Sequence, residues 1–249
     1  MSTDTEWKQN GSLRAATLPT QYELPCEDDE NLETERHKLQ MDLLIYPLRS
    51  WLSQRQRDSY VGGNMFVYFS MAQVRGEDFR GPDVFVVLGV PSGERRCWVV
   101  WHEGKGPDLV IELLSDKTAR QDKGRKKQVY EQQLQVPEYF WYDPFDPADF
   151  VGFELQDGVY QPIALTGQGH LTSRRLGLVL RHWEGVHVNV RTTWLRWALA
   201  DGTLLPTPEE AQAQEQQRAE AERQRAETAE AEVARLRALL AGRDTPSGD

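Results

Sequence analysis

Apolar residues along the chain change their spacing from segment to segment, and each change marks a different element. Residues 1–31 are polar, interrupted by Pro19 and Pro25 and ending near the acidic stretch CEDDE; they read as a loosely ordered arm over the body. From Leu32 to Gln54 the residues Leu39, Leu43, Leu44, Leu48, Trp51 and Leu52 recur at helical spacing. That pattern predicts an amphipathic helix, kinked at Pro47 where proline removes a backbone donor.

The pattern then tightens into strands. YVGGNMFVYFS (60–70), VFVVLGV (84–90), CWVVWHE (97–103) and DLVIELL (108–114) are four strand-like runs, the third entered through the turn SGERR. The fourth is almost continuously apolar, as strands covered on both faces are. A helix should follow to about Leu134, despite Gly124, capped by Ser115 or Thr118; Thr118 with Gln121 fits a Thr-x-x-Gln capping box. Pro137 leads into the strand EYFWYD, stopped by DPFDP. Residues 150–197 read as β-hairpins with turns at QDG, TGQG and WEG, and with Trp183, Trp194 and Trp197 as packing anchors.

Residues 208–241 differ in kind. Ala219, Ala226, Val233 and Leu240 fall at one heptad position, and Glu222, Ala229 and Leu236 at the other seam position. Glu222 interrupts the seam, so only the last two heptads are strong. The segment reads as a coiled-coil tail pairing two protomers, against the simpler reading of a solvated helix. The domain division is thus an arm (1–31), an α/β domain with a β-rich extension (32–200) and the tail (208–241).

Composition narrows the functional classes. The net charge is −10, and residues 204–249 hold ten acids against six bases. A generally basic nucleic-acid coat is excluded, although a local basic surface can still bind phosphate. No run approaches the ~18 apolar residues of a membrane span, and none resembles a signal peptide. Cys26 and Cys97 have no metal-ligand spacing and suggest no disulfide framework. A cytoplasmic protein without membrane association is expected.

One residue does not fit this pattern. Glu112 stands inside DLVIELL, where a buried strand calls for an apolar side chain. An ionised carboxylate there costs several kcal/mol unless it is paired, protonated or bound to a cation. Asp83 begins the strand VFVVLGV, and a neighbouring strand can bring it beside Glu112. Two hard oxygen donors plus waters suit Mg²⁺ or Mn²⁺. Residues 116–127 add Lys117, Arg120, Lys123, Arg125, Lys126 and Lys127, six bases in twelve positions. Acids for a metal beside bases for phosphate suit phosphodiester hydrolysis.

RGPDVFVV, PDLVIELLS and DKGRKKQVYEQQLQVPEYFWYDP, in that order, resemble the Uma-type restriction endonuclease family, a branch of the PD-(D/E)XK nuclease superfamily, over roughly residues 32–180. The resemblance implies a restriction-endonuclease-like α/β core (helix, mixed central sheet, helix, strand), divalent-metal dependence and cleavage of nucleic acid; double-stranded DNA is the expected substrate. It makes Asp83 and Glu112 the metal-binding acids. Leu114 stands where the motif has lysine, and the resemblance assigns that part to Lys126, four residues before Tyr130. Glu33 matches an auxiliary acid; from the density of the basic run, Lys123, Arg125 and Lys127 are expected to be substrate-binding bases.

Plainer readings compete. Glu112 can pair with a buried base, Asp83 can be a turn residue, and the basic run can be one solvated helix face. Lys123 and Lys127 compete with Lys126 for the site. Asp108 repeats the Gly-Pro-Asp turn, but lies ~13 Å along the strand from Glu112 and reads as structural. His37 reads as a helix-surface or interface residue. Functionally, the rival is a catalytically silent nucleic-acid-binding or adaptor protein working through its coiled coil. A weaker third option is a metal-dependent hydrolase acting on another phosphorylated substrate.

Overall fold

The computed structural model describes residues 18–24, 26, 34–70 and 81–243. The first helix, α1 (Glu35–Gln54), starts where Thr34 accepts the backbone N–H of His37, and it carries Pro47 within its length. Leu44, Leu48 and Leu52 recur on its inward face and are buried. The stretch expected as a single strand over 60–70 is broken in two, β1 (Ser59–Gly62) and β2 (Val67–Tyr68). Between them Asn64 takes a positive φ of 48°, which ends the extended run.

After β3 (Val84–Leu88), the expected third strand shrinks to β4 (Trp98–Val99) and passes straight into a single helical turn, α2 (Val100–Glu103). That turn is closed by Gly104 at φ 75°, whose N–H reaches the Val100 carbonyl. Strands β2 and β4 pair with each other in parallel and lie outside the main sheet.

Next come β5 (Leu109–Leu113), α3 (Ala119–Gln121), a π-helical turn (Asp122–Lys126), α4 (Lys127–Gln132) and β6 (Glu138–Tyr142). Then follow β7 (Phe150–Gln156), β8 (Val159–Pro162), β9 (Leu171–Ser173), β10 (Leu178–His187), β11 (Val190–Ala198) and α5 (Pro208–Arg243). The main sheet has six strands in the order β1-β3-β5-β6-β7-β8, antiparallel except for the β5–β6 pair. A parallel neighbour demands a crossover, and here residues 114–137 supply it. Strands β9–β11 form a separate antiparallel sheet. The protein is a mixed α/β structure on a mixed central sheet.

Strand alternation divides the core. Val84, Val86, Leu109, Ile111 and Leu113 face the cluster that contains Leu44 and Leu48 of α1 with Leu178, Leu195 and Trp197 of the smaller sheet. Phe85, Val87, Val110 and Leu114 face the opposite cluster with Tyr130, Val136 and Tyr139, beneath the crossover. Glu112 therefore shares its face with Val110 and Leu114.

Local expectations fail in instructive places. WEG is no turn: Gly185 lies inside β10, where a Cβ would come within 2.1 Å of the Trp183 ring. The chain reverses at Val188 and Asn189 instead, both at positive φ, a two-residue hairpin turn. Thr118 gives no side-chain cap; it is already helical, and the Ser115 hydroxyl accepts the amides of Lys117 and Thr118. A reciprocal capping box does form at Thr207 and Glu210, each side chain accepting the other's backbone N–H, at the root of α5.

Helix α5 spans 36 residues, about 54 Å at 1.5 Å per residue. Its root is fixed by the buried Arg196, whose guanidinium meets Glu210 at 2.5 Å and the Leu205 carbonyl at 2.8 Å. Val233 and Leu236 are exposed along it. Among the described residues no helix is long and apolar enough to cross a membrane.

Candidate active site

The two Gly-Pro-Asp segments lie at opposite ends of the β3–β5 pair and perform mirrored tasks. Asp83 Oδ2 accepts the amide of Leu113 at 2.6 Å, and Asp108 Oδ2 accepts the amide of Leu88 at 2.7 Å. Each aspartate thus binds the last amide of the strand opposite. The surroundings separate them. Asp108 is paired with Lys105 at 2.6 Å and plays the structural part expected of it. Asp83 sits one step beyond the Val84–Ile111 pairing, which sets it across from Glu112, close enough for each carboxyl group to feel the other's charge.

Glu112 is wholly buried. Its Oε1 accepts the Tyr130 hydroxyl at 2.7 Å, and its Oε2 lies 3.1 Å from the Lys126 ammonium. Lys126 is also 2.9 Å from Asp122 Oδ1, outside good hydrogen-bond geometry for that oxygen. Asp122 is itself 1% exposed. Two carboxylates therefore meet one ammonium, a third, Asp83, acts on it from farther off, and a tyrosine donates to Glu112 from the side.

The π turn brings the two helix residues there. Its wider winding carries the Lys127 amide to the Asp122 carbonyl, an oxygen that also accepts the Tyr139 hydroxyl at 3.0 Å. Single π turns recur at functional sites because they re-aim side chains without ending a helix. Here Asp122 and Lys126 face Glu112 while their neighbours turn away. Lys123 pairs with Asp149 and lies 5.6 Å from the Trp141 ring centre; Lys127 lies 4.0 Å over Phe153. Arg125 is exposed on the same turn. Of the three competing lysines, the geometry brings Lys126 alone to the buried acids.

Leu114, two positions after Glu112 on the same strand face, is fully buried against Tyr130 and Val136. A lysine there would have its ammonium under the crossover helix, whereas Lys126 enters from that helix directly.

Electrostatics follow from the enclosure. Burial pushes Glu112 up to about 8; Lys126 and the Tyr130 hydroxyl pull it down, and Asp83 and Asp122 push it further up. Burial likewise raises Asp83, offset by Lys126 and the Leu113 amide. For Lys126 burial favours the neutral form, but the attraction of Glu112, Asp122 and Asp83 outweighs it and the amine is held protonated well above its usual range. Burial and the neighbouring Glu112 charge also raise Tyr130. One ammonium does not balance three carboxylates, so the cluster favours an added proton or cation.

A divalent metal fits the donor set. Asp83 is part-buried where Glu112 is wholly buried. Among the described residues no group of three metal-capable side chains closes on one point. The arrangement suits an ion such as Mg²⁺, which takes one or two carboxylates and keeps several waters.

Glu33 lies outside the described residues. His37 is buried rather than surface-facing: Nε2 donates to the Leu114 carbonyl at 3.0 Å and Nδ1 lies 2.8 Å from the Thr34 hydroxyl, tying the start of α1 to the end of β5. Asp122 and Tyr130 are absent from the sequence reading of the site. The available signal was their spacing, four residues before and four after Lys126, which places all three on one helical face.

Residues 19–190 match the Uma2 family, described as "Putative restriction endonuclease". A crystal structure of a "putative nuclease belonging to DUF820" from Anabaena variabilis is similar at 13% identity, covering 59% of this chain and 76% of that chain, with a TM-score of 0.42. No curated protein matches.

Proposed function

The chain belongs to the Uma2 family, and from that premise we propose that it is a divalent-metal-dependent endonuclease on a restriction-endonuclease-like core, hydrolysing phosphodiester bonds, with DNA as its substrate. The observation that carries this reading is the part-buried Asp83 set by strand register across from the buried Glu112, with Lys126 against Glu112. Asp83 and Glu112 would hold the metal, and Glu33 would be the auxiliary acid that the family resemblance assigns. When bound, Mg²⁺ or Mn²⁺ supplies an activated water and charge neutralisation at the phosphate.

The protein's own groups do the rest. Tyr130 fixes one Glu112 oxygen by its 2.7 Å hydrogen bond, so the carboxylate presents a defined orientation. Lys126 is held protonated by its acidic neighbours; it acts as a cation toward the scissile phosphate and the charge that develops there, not as a proton acceptor. Asp122 restrains the same ammonium from the preceding helical turn. Arg125 and Lys127 contact phosphates of the nucleic-acid backbone, joined by Lys123 when it exchanges Asp149 for phosphate. The α5 tail pairs two protomers, giving two sites for the two strands of a duplex.

One observation favours a second reading, a silent nucleic-acid-binding or adaptor protein: the motif's strand lysine is replaced by the fully buried Leu114. Plasmid nicking separates the two. The nuclease reading predicts strand cleavage with Mg²⁺ or Mn²⁺, abolished by EDTA and by Glu112→Gln in folded protein. Nucleic-acid binding with no metal-dependent cleavage overturns it.

A further inference from the structure

Cys26 and Cys97 are the chain's two cysteines, 71 positions apart, and the fold brings them together. Cys97, just before β4, is 1% exposed within a cluster of Leu24, Phe66, Tyr68 and Val99. Cys26 packs half-buried against the same cluster, its Sγ donating to the Leu24 carbonyl at 3.3 Å, and it is near enough to act on the Cys97 thiol. Both are free. The segment leading to Cys26 is laid on the β4–α2 region at two further points. Trp101 Nε1 donates to the Pro19 carbonyl and the Arg96 amide donates to Gln21 Oε1, each at 2.8 Å. Leu24 is buried between them and Cys26.

We propose that Cys26 and Cys97 form a reversible disulfide that fastens residues 18–26 to the body, a redox modification site separate from the acid cluster. In a reducing compartment the thiols stay apart and the arm rests on its hydrogen bonds and Leu24. Under oxidising conditions a low-molecular-weight disulfide of the glutathione class supplies the oxidant. Cys26 is the accessible partner. Its thiolate attacks one sulfur of the external disulfide, forming a mixed disulfide and releasing one thiolate. Cys97 then loses its proton to solvent and attacks the Cys26 sulfur, breaking the mixed bond and expelling the second thiolate. Both thiolates take up protons. The balance is two cysteine thiols plus one external disulfide giving one internal disulfide plus two external thiols. Burial raises the Cys97 thiol to about 12, so the second step is the slow one and accelerates with pH.

The test uses the full chain incubated with oxidised glutathione or with dithiothreitol, read by intact mass, peptide mapping and thermal melting. The expected results are loss of two hydrogens without added glutathione, a peptide joining Cys26 to Cys97, and a melting rise on the order of 10 °C from closing so long a loop. Cys26→Ser, a change at a half-buried position, should abolish all three. Glutathione retained on Cys26, a disulfide-linked dimer, or an internal bond that leaves the melting point unchanged would each overturn the proposal.

Discussion

Glu112→Gln should make the protein more stable in alkaline solution and leave it nearly unchanged in acid. In the fold Glu112 keeps its proton up to about 8, against an ordinary carboxyl value of 4.5. Folding thus takes up a proton between those two values. This contribution to stability is fully present below 4.5 and is lost as pH rises through 8. At 1.36 kcal/mol per decade of proton affinity, the whole loss is on the order of 5 kcal/mol, an upper bound because Asp83 and Lys126 respond to the same titration. Glutamine is neutral throughout and can still accept the Tyr130 hydroxyl, while Lys126 keeps Asp122 at 2.9 Å. Urea unfolding in EDTA, run on both proteins from pH 5 to pH 9, should give curves within about 1 kcal/mol at the acid end. The variant should lead by a few kcal/mol at the alkaline end. A stability difference that stays constant across this range would refute the claim that Glu112 is held protonated by its surroundings.

Three further substitutions separate the site from its scaffold. Lys126→Met removes the counter-ion of a buried acid pair; it should reduce cleavage by at least about 100-fold, and urea unfolding should show a larger loss of stability at pH 8 than at pH 5. Asp108→Asn breaks the mirrored turn without touching the acids; denaturation should show a cost of about 1–3 kcal/mol, with metal-dependent cleavage per folded molecule unchanged. Truncation after Gln214 retains the Thr207–Glu210–Arg196 lock and should give a folded monomer by light scattering, where the full chain should give a dimer. Truncation before Pro208, which strands the buried Arg196, should in addition lower the melting temperature.

The legible parts of this fold were those where burial writes a period into the chain. Helix α1 shows its leucines at helical spacing, and β3, β5 and β6 are apolar enough to declare themselves buried. Glu112 was visible for the same reason, as an anion in the middle of such a run. What escaped notice depends on partners distant in sequence. The run from Tyr60 to Ser70 looks continuous, yet its second half leaves the sheet to pair with β4. Gly185 carries the signature of a turn and is instead cover for the Trp183 ring. Gly124 lowers helix propensity at the π turn without announcing its wider winding, and Asp122, Lys126 and Tyr130 look like an ordinary helical face until β5 lies beneath them. Likewise the two Gly-Pro-Asp segments are near copies; only the side chains packed nearby, Lys105 in one case and Glu112 in the other, make one a turn and the other part of an acid pair.

Titration of Mn²⁺ into the full-length protein at pH 8, followed by calorimetry and by the spin resonance of the free ion, tests the central claim most directly. One site per chain in the wild type, lost in both Asp83→Ala and Glu112→Ala while each variant keeps its fold, is the predicted result. Equal binding by wild type and both variants would mean that the buried acids are held by Lys126 and a proton alone, and the metal-dependent reading would fail.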